Sequence, residues 1–116
     1  MVSAASLGAE RRSERASTEL TSRWLRREGE IDVSITDINL HGMFLSTTTV
    51  ASVGSLLRLE VVLDEGAPLK MFVRVCHLEQ TSSGMGMGMG VEIYLLGPEE
   101  HLRWMHYYRR LVDANY

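Results

Sequence analysis

Short segments in which apolar and polar residues alternate constrain the fold of this chain most strongly. Between residues 55 and 63, leucine or valine occupies every second position from 57 onward, and Arg58 and Glu60 lie between them. A two-residue period is typical of a strand that buries one face. Segments of this kind, some of them less regular, predict strands at 20–27, 31–36, 42–46, 55–63 and 69–78. Turns rich in glycine, proline and small polar residues are predicted at 28–30, 64–68 and 81–84.

The sixth predicted strand lies in a segment where glycine and methionine alternate. In an extended conformation one face carries Met85, Met87, Met89, Val91, Ile93 and Leu95, and the other carries Gly84, Gly86, Gly88 and Gly90. Glycine inside a strand often marks a bulge, or the close approach of another backbone or a ligand. We expect a kinked barrel strand with a methionine-rich core face. A metal site is disfavoured, because thioether ligands lack a partnering cysteine or histidine nearby.

The last part of the chain is predicted to be a helix that begins at Pro98. Proline is common at the first helical position, and Glu99 and Glu100 follow in the first turn, where acidic side chains are favourable. One apolar stripe consists of Trp104, Met105, Tyr108, Leu111 and Val112. We expect this stripe to pack on the end or side of a small sheet. Six strands followed by a helix predict a mainly β fold, either an antiparallel barrel or a strongly twisted sheet closed by the helix.

Length and composition narrow the class of protein further. The chain has 116 residues, which is one domain, and a formal charge of −3, so general binding to nucleic acid or to an anionic membrane is disfavoured. A single cysteine, Cys76, excludes an internal disulfide framework and suits a reducing compartment. No apolar run reaches the length that spans a bilayer, and no signal peptide is evident. We expect a soluble cytoplasmic protein without membrane insertion.

Catalytic and metal-binding patterns were sought among the reactive side chains. The four histidines, His41, His77, His101 and His106, have no metal-ligand spacing with one another or with Cys76. The sequence also lacks a nucleophile elbow, a phosphate loop and a paired set of catalytic carboxylates. We therefore expect neither an enzyme nor a bound metal or cofactor.

A ligand site is suggested by the junction between the second and third predicted strands. Asp37 and Asn39 occupy alternate positions that point to the same side, and Gly42 follows three residues later. Two short polar side chains can bind a ligand there, and a glycine lets the backbone turn or be approached closely. Taken alone the pattern is weak, because aspartate, asparagine and glycine are also ordinary turn residues.

A basic cluster lies upstream of the first predicted strand. Residues 1–10 are small or polar and are expected to form a mobile arm, which continues into Arg11, Arg12 and Arg15. The same Arg-x-x-x-Arg spacing recurs at Arg23 and Arg27, but that copy lies inside a predicted strand and too near Asp37. We therefore favour the first cluster as the anion-binding element.

The two motifs together resemble the signature of the PilZ family of bacterial cyclic di-GMP receptor domains. Arg11 and Arg15 match its Arg-x-x-x-Arg, and Asp37-x-Asn39-x-x-Gly42 matches its Asp/Asn-x-Ser-x-x-Gly, with asparagine in place of the family's serine. The similarity extends from about residue 10 to the end of the chain, through Gly54 to Leu59, residues 73–75, the run that ends at Ile93 and the final helix.

The resemblance implies a six-stranded antiparallel barrel at 18–116 with a C-terminal helix, preceded by a flexible arm at 1–17. It also implies that cyclic di-GMP is the ligand and that a downstream protein partner responds to it. The residues it implies for the ligand are Arg11, Arg12, Arg15, Asp37, Asn39 and Gly42. Binding of one ligand or of a stacked pair remains open, as do the oligomeric state and the pathway.

Three functions remain possible from the sequence. The first is a single-domain cyclic di-GMP receptor whose arginine arm becomes ordered on the barrel when ligand binds. The second is a PilZ-like interaction module that has lost nucleotide binding, with Asn39 marking the loss. The third is an unrelated small β domain whose motifs are accidental. The presence of both Arg11 and Arg15 together with Asp37 and Gly42 favours the first.

Overall fold

Antiparallel strands close into a six-stranded barrel in this computed structural model, which describes residues 15–64, 66–80 and 87–114. The strands are β1 (Ala16–Leu25), β2 (Ile31–Ile38), β3 (Gly42–Ser46), β4 (Leu56–Val62), β5 (Leu69–Gln80) and β6 (Met87–Leu96). A helix, α1 (Pro98–Ala114), follows β6. Around the barrel the strand order is β1-β2-β3-β6-β5-β4, and β1 pairs with β4 to close it. The predicted mainly β barrel with a C-terminal helix is therefore confirmed.

The strand boundaries differ from the prediction mainly at the start of β1 and the end of β2. β1 begins at Ala16, so Ala16 and Ser17, which we had placed in the arm, belong to the barrel. β2 continues through Ile38 and so contains Asp37. The remainder of the predicted arm before Arg15, including Arg11 and Arg12, lies outside the described residues.

The barrel core follows the predicted alternation. Every second residue of β4 is buried, and so is every second residue of β5 from Leu69 to Val75, while Arg58, Lys70 and Phe72 lie on the outside. The fully buried apolar side chains of the barrel include Ile35, Ile38, Leu45, Leu59, Val61, Leu69, Val73, Val75 and Met89. Burial of each such side chain contributes roughly 1.5–3 kcal/mol to the stability of the fold. Together these side chains hold the barrel closed.

Two glycines of the glycine–methionine segment lie beneath rings from neighbouring strands. A Cβ atom at Gly88 would lie 2.0 Å from the Phe44 ring, and one at Gly90 would lie 2.0 Å from the His77 ring. The sequence suggested a bulge or the close approach of another backbone or a ligand, whereas at these two glycines side chains of β3 and β5 make the approach. Met89 between them is fully buried, as predicted for a methionine of the core face.

The prediction that Leu95 shares this core face is wrong. Leu95 is 59% exposed because the alternation of β6 changes phase one residue earlier. Val73 pairs with Ile93 but Phe72 pairs with Leu95, so Tyr94 is an additional residue on β6. A bulge of this kind moves the following side chains to the other face.

The helix buries its aromatic residues against the barrel near the start of β1. Trp104 and Tyr108 of the predicted stripe are buried, and Tyr107 is buried beside them. Within the described ranges, no helix has the combination of length and hydropathy that crossing a bilayer requires.

Candidate ligand-binding site

The direction of the Asp37 side chain depends on a β-bulge in β2. Val33 and Ile35 are buried, so regular alternation would also point Asp37 into the core. Between the Ile35–Leu45 and Asp37–Phe44 pairs, however, β2 has one residue more than β3. The alternation shifts by one position, so Ile38 is buried and Asp37 is only partly buried. Burial of a carboxylate in an apolar core would be strongly unfavourable. The bulge avoids this and leaves the Asp37 carboxylate accessible from outside the barrel.

Asn39 closes the turn between β2 and β3 with its own side chain. Its Oδ1 accepts hydrogen bonds from the backbone N–H groups of His41 and Gly42, each at 2.8 Å. Its backbone N–H donates to the carbonyl of Gly42 at 3.0 Å. Because Oδ1 is engaged twice, the part of this side chain that can meet a ligand is the Nδ2 amide, which donates.

The same turn is attached to two other elements of the molecule. The carbonyl of His41 accepts a hydrogen bond from the Ile93 N–H of β6 at 2.7 Å. The carbonyl of Asn39 accepts one from Trp104 Nε1 of α1 at 3.3 Å. The turn is thus held by β6 and by the helix, which fixes the positions of its polar groups.

Gly42 is required by the packing of β3 on β6. A Cβ atom at this position would lie 2.3 Å from the backbone carbonyl oxygen of Val91, which is too close for any side chain. The sequence suggested that Gly42 keeps the junction open for a ligand, and the structure adds a requirement that comes from the barrel itself. The effect of this glycine on a ligand stays a prediction.

Strand pairing brings Arg15 to the same end of the barrel as Asp37 and Asn39. Ala16 pairs with Ile38 and Ser17 pairs with Asp37, and the exposed Arg15 immediately precedes Ala16. Four of the six predicted ligand residues, Arg15, Asp37, Asn39 and Gly42, therefore lie at one rim. We call this group the motif rim.

The nearest ion pair beside the motif rim joins β5 and β6. Glu92, which pairs with Gly42 across β3 and β6, accepts hydrogen bonds from the Arg74 guanidinium, with Nε at 2.9 Å. Hydrogen bonding to this carboxylate, with its charge, raises the pKa of Arg74 above its ordinary value. Because Glu92 balances Arg74, this pair adds no net charge beside the motif rim, where Arg15 is the arginine that the structure describes.

Two contacts between the helix and the motif rim were not predicted. Tyr107 OH and Thr18 Oγ1 are 2.6 Å apart and share a hydrogen bond, and Trp104 binds Asn39 as described above. The aromatic residues of the helix were expected only to pack against the sheet. A hydrogen-bond partner for each of these side chains could have been expected, because buried tyrosine and tryptophan need partners for their O–H and N–H groups. This expectation does not identify which residues the partners are, because they lie far away in the sequence.

Metal binding finds no support in the described ranges, where histidine, cysteine and acidic side chains form no group of three or more able to hold an ion. The fold is thus a small closed β-barrel domain. Its helix packs beside the polar β2–β3 turn of the motif rim. The chain belongs to the PilZ domain family, whose profile matches residues 9–109.

Several solved structures share this fold. The PilZ domain of YcgR from Escherichia coli, determined with c-di-GMP, has a TM-score of 0.72 and 12% identity over 91% of this chain and 94% of that one. The K. pneumonia MrkH–c-di-GMP complex has a TM-score of 0.78 and 18% identity over 91% of this chain and 54% of that one. Bacillus subtilis MotI/DgrA, an inhibitor of motility, has a TM-score of 0.77 and 18% identity over 90% of this chain and 52% of that one. The chain thus spans about half the length of MotI and MrkH. No curated protein sequence matches it significantly.

Proposed function

We propose that this PilZ domain is a receptor for cyclic di-GMP and binds it at the motif rim. The observation that carries the proposal is the pairing of Ser17 with Asp37 and of Ala16 with Ile38, which places Arg15 beside Asp37 and Asn39. The YcgR and MrkH structures with c-di-GMP, which share the fold, support the choice of ligand. The role proposed is binding and signalling in the bacterial cytoplasm, without catalysis.

The chemistry of the motif rim suits a dianion that carries two guanines. Arg15 can fork onto guanine O6 and N7 or pair with a phosphodiester, which a lysine cannot do as well. Asp37 can accept hydrogen bonds from the N–H groups of the guanine Watson–Crick edge or orient an arginine. Asn39 Nδ2 can donate to a phosphate or carbonyl oxygen, since Oδ1 is engaged in the turn.

We place Arg11 beside Arg15 as the second arginine of the motif, with Arg12 as a helper. In this proposal the ligand fixes the N-terminal arm against the motif rim. Ordering the arm costs on the order of 1 kcal/mol per residue, and charge-assisted hydrogen bonds of roughly 1.5–3 kcal/mol each must exceed this cost.

The helix is the element best placed to pass the signal to a partner protein. Through Trp104 it is hydrogen-bonded to Asn39 in the β2–β3 turn, and through Tyr107 to Thr18 on β1, three residues after Arg15. A ligand that shifts either segment would change the helix position or its mobility. We therefore propose that the protein acts as an adaptor whose surface around α1 is read by a partner.

Calorimetric titration with cyclic di-GMP, with GTP as the control ligand, tests the proposal. Selective binding by the wild type is expected, and the fitted stoichiometry distinguishes one ligand from a stacked pair. Arg15→Ala and Asp37→Ala should each weaken binding by more than about 1.5 kcal/mol, which is roughly tenfold, because each removes charge-assisted hydrogen bonds. Arg109→Ala, at an exposed arginine on α1, is the matched control and should bind like the wild type.

Equal binding by the wild type and by both motif variants would refute the site assignment. If the wild type shows no binding by calorimetry and no thermal stabilisation, the receptor role is wrong. The alternative of an interaction module that binds its partner constitutively would then take its place.

A further inference from the structure

A second concave surface lies at the other end of the barrel from the motif rim. The end of β1, the β1–β2 turn, residues 49–51 and the start of β4 surround a cleft of about 550 Å³. We call it the arginine cleft, because Arg26, Arg27 and Arg58 line it. β1 runs from Ala16 beside the motif rim to Leu25, which pairs with Arg58. At about 3.3 Å per residue the two sites are roughly 25–30 Å apart along the strand.

The charge of the arginine cleft is opposite to that of the whole chain. Three guanidinium groups and one carboxylate, Glu28, line it, whereas the chain carries a formal charge of −3. Other arginines on the barrel strands are neutralised, Arg23 by Glu30 and Glu60 and Arg74 by Glu92. Among the described residues, no carboxylate forms an ion pair with the three cleft arginines. Their positive charge is therefore available to an anionic partner.

Two of these arginines rest on aromatic rings. The Arg26 guanidinium lies 5.5 Å from the centre of the Trp24 ring, and its Nε donates to the Gly29 carbonyl at 3.2 Å. The Arg58 guanidinium lies 6.0 Å from the centre of the Phe72 ring. Such contacts limit the rotamers of a long side chain, so less entropy is lost when it binds a carboxylate.

The arginine cleft also has an apolar part. Leu56 is 53% exposed and Phe72 is 37% exposed, and both line the cleft together with Val50. A ligand that fills it must combine negative charge with aliphatic groups. The Trp24 and Phe72 rings are already paired with arginines, so a nucleotide base would compete for them, whereas aliphatic side chains would pack beside them.

We propose that the arginine cleft binds a short acidic segment of a partner protein, in which aspartate or glutamate residues alternate with aliphatic ones. The carboxylates pair with Arg27 and Arg58, and an aliphatic side chain packs on Leu56 and Val50. The cleft is open to solvent along its length, so an extended segment can lie in it without being enclosed. This site is separate from the motif rim and does not depend on nucleotide binding.

Selection of phage-displayed random linear peptides on the immobilised full chain tests the proposal. Peptides that combine acidic and aliphatic residues should be enriched on the wild type and lost on Arg58→Glu. A labelled selected peptide should then bind Arg27→Glu and Arg58→Glu at least about tenfold more weakly by fluorescence polarisation, because each change reverses a charge in the site. Arg109→Glu makes the same charge change on α1 and should stay within about twofold of the wild type.

Three outcomes would overturn the inference. Selection on the wild type could yield no acidic peptides, or the selected peptide could bind the two cleft variants as well as the wild type. Calorimetry could also show that cyclic di-GMP binding is lost in Arg58→Glu while thermal unfolding is unchanged, which would assign the arginine cleft to the nucleotide. Retention of cyclic di-GMP binding by both cleft variants is the expected result. If the wild type does not bind cyclic di-GMP at all, the peptide measurement still tests the arginine cleft, because it uses no nucleotide.

Discussion

Substitutions at Asn39 can separate two effects, the stability of the β2–β3 turn and the proposed contact of the Asn39 side chain with the ligand. Asn39 Oδ1 accepts from the N–H groups of His41 and Gly42 at 2.8 Å, and the hydrogen bonds of this turn within the described residues do not involve Nδ2. Asn39→Ala removes both acceptor contacts, each with a net contribution of roughly 0.5–1.5 kcal/mol. The His41 contact is exposed, so water replaces part of it, and the Gly42 contact is partly buried. We therefore expect a loss of about 1–2 kcal/mol in the free energy of unfolding.

Asn39→Asp is the matched variant. A carboxylate can accept from the same two N–H groups, but it adds a negative charge two residues from Asp37 and removes the Nδ2 donor. Repulsion across about 7 Å is roughly 2.4 kcal/mol at an effective dielectric constant of about 20, and screening by salt together with the stronger charge-assisted hydrogen bonds offsets much of it. Stability should therefore stay close to that of the wild type, whereas affinity for the dianionic ligand should fall by more than about tenfold.

The assay combines urea or thermal unfolding with calorimetric titration of cyclic di-GMP on the same preparations. Asn39→Ala should lower the melting temperature by about 3–10 °C, at roughly 3–5 °C per kcal/mol for a domain of this size. Asn39→Ser should keep the turn through its hydroxyl acceptor and retain or tighten binding. Unchanged stability in Asn39→Ala would show that the side chain does not hold the turn. Binding by Asn39→Asp equal to that of the wild type would show that Nδ2 does not contact the ligand.

Three further substitutions test the surroundings of the motif rim. Gly42→Ala places a Cβ against the Val91 carbonyl oxygen, so urea unfolding should show a loss of about 2 kcal/mol or more, and a stable variant would contradict the packing. Trp104→Phe removes the N–H that binds the Asn39 carbonyl and leaves space where the larger indole was fully buried, so thermal unfolding should show a cost of about 2–3 kcal/mol without loss of the fold. Arg15→Lys keeps the charge but not the planar fork, so calorimetry should show affinity between those of the wild type and Arg15→Ala; affinity equal to the wild type would limit Arg15 to a point charge.

Much of the fold was predictable because strand and helix patterns are local. The two-residue alternation of residues 55–63 became β4, and the glycine turn at 28–30 became the connection from β1 to β2. The helix begins at Pro98, where proline and two glutamates indicated its first turn. Closure into a barrel did not follow from these patterns, which also allowed a strongly twisted sheet closed by the helix; the resemblance to the PilZ family indicated the barrel, and the pairing of β1 with β4 confirms it.

The motif residues were also identifiable, but their arrangement was not. The alternation of Val33 and Ile35 alone would have pointed Asp37 into the core, and only the bulge opposite β3 turns it outward. Bulges depend on the register between two strands, which one strand's sequence does not contain. The same reason explains why Leu95 was placed on the wrong face of β6.

The sequence by itself determined which segments become strands, where the helix begins and which short polar residues stand at the β2–β3 junction. These are properties of neighbouring residues and of their spacing. Tertiary structure alone decided that Gly42 must lie against Val91, that Trp104 supports Asn39, and that Arg27 and Arg58 share a cleft. Each of these contacts joins residues far apart in the chain. They exist because strand pairing around the closed barrel, and the packing of α1 against it, place those residues side by side.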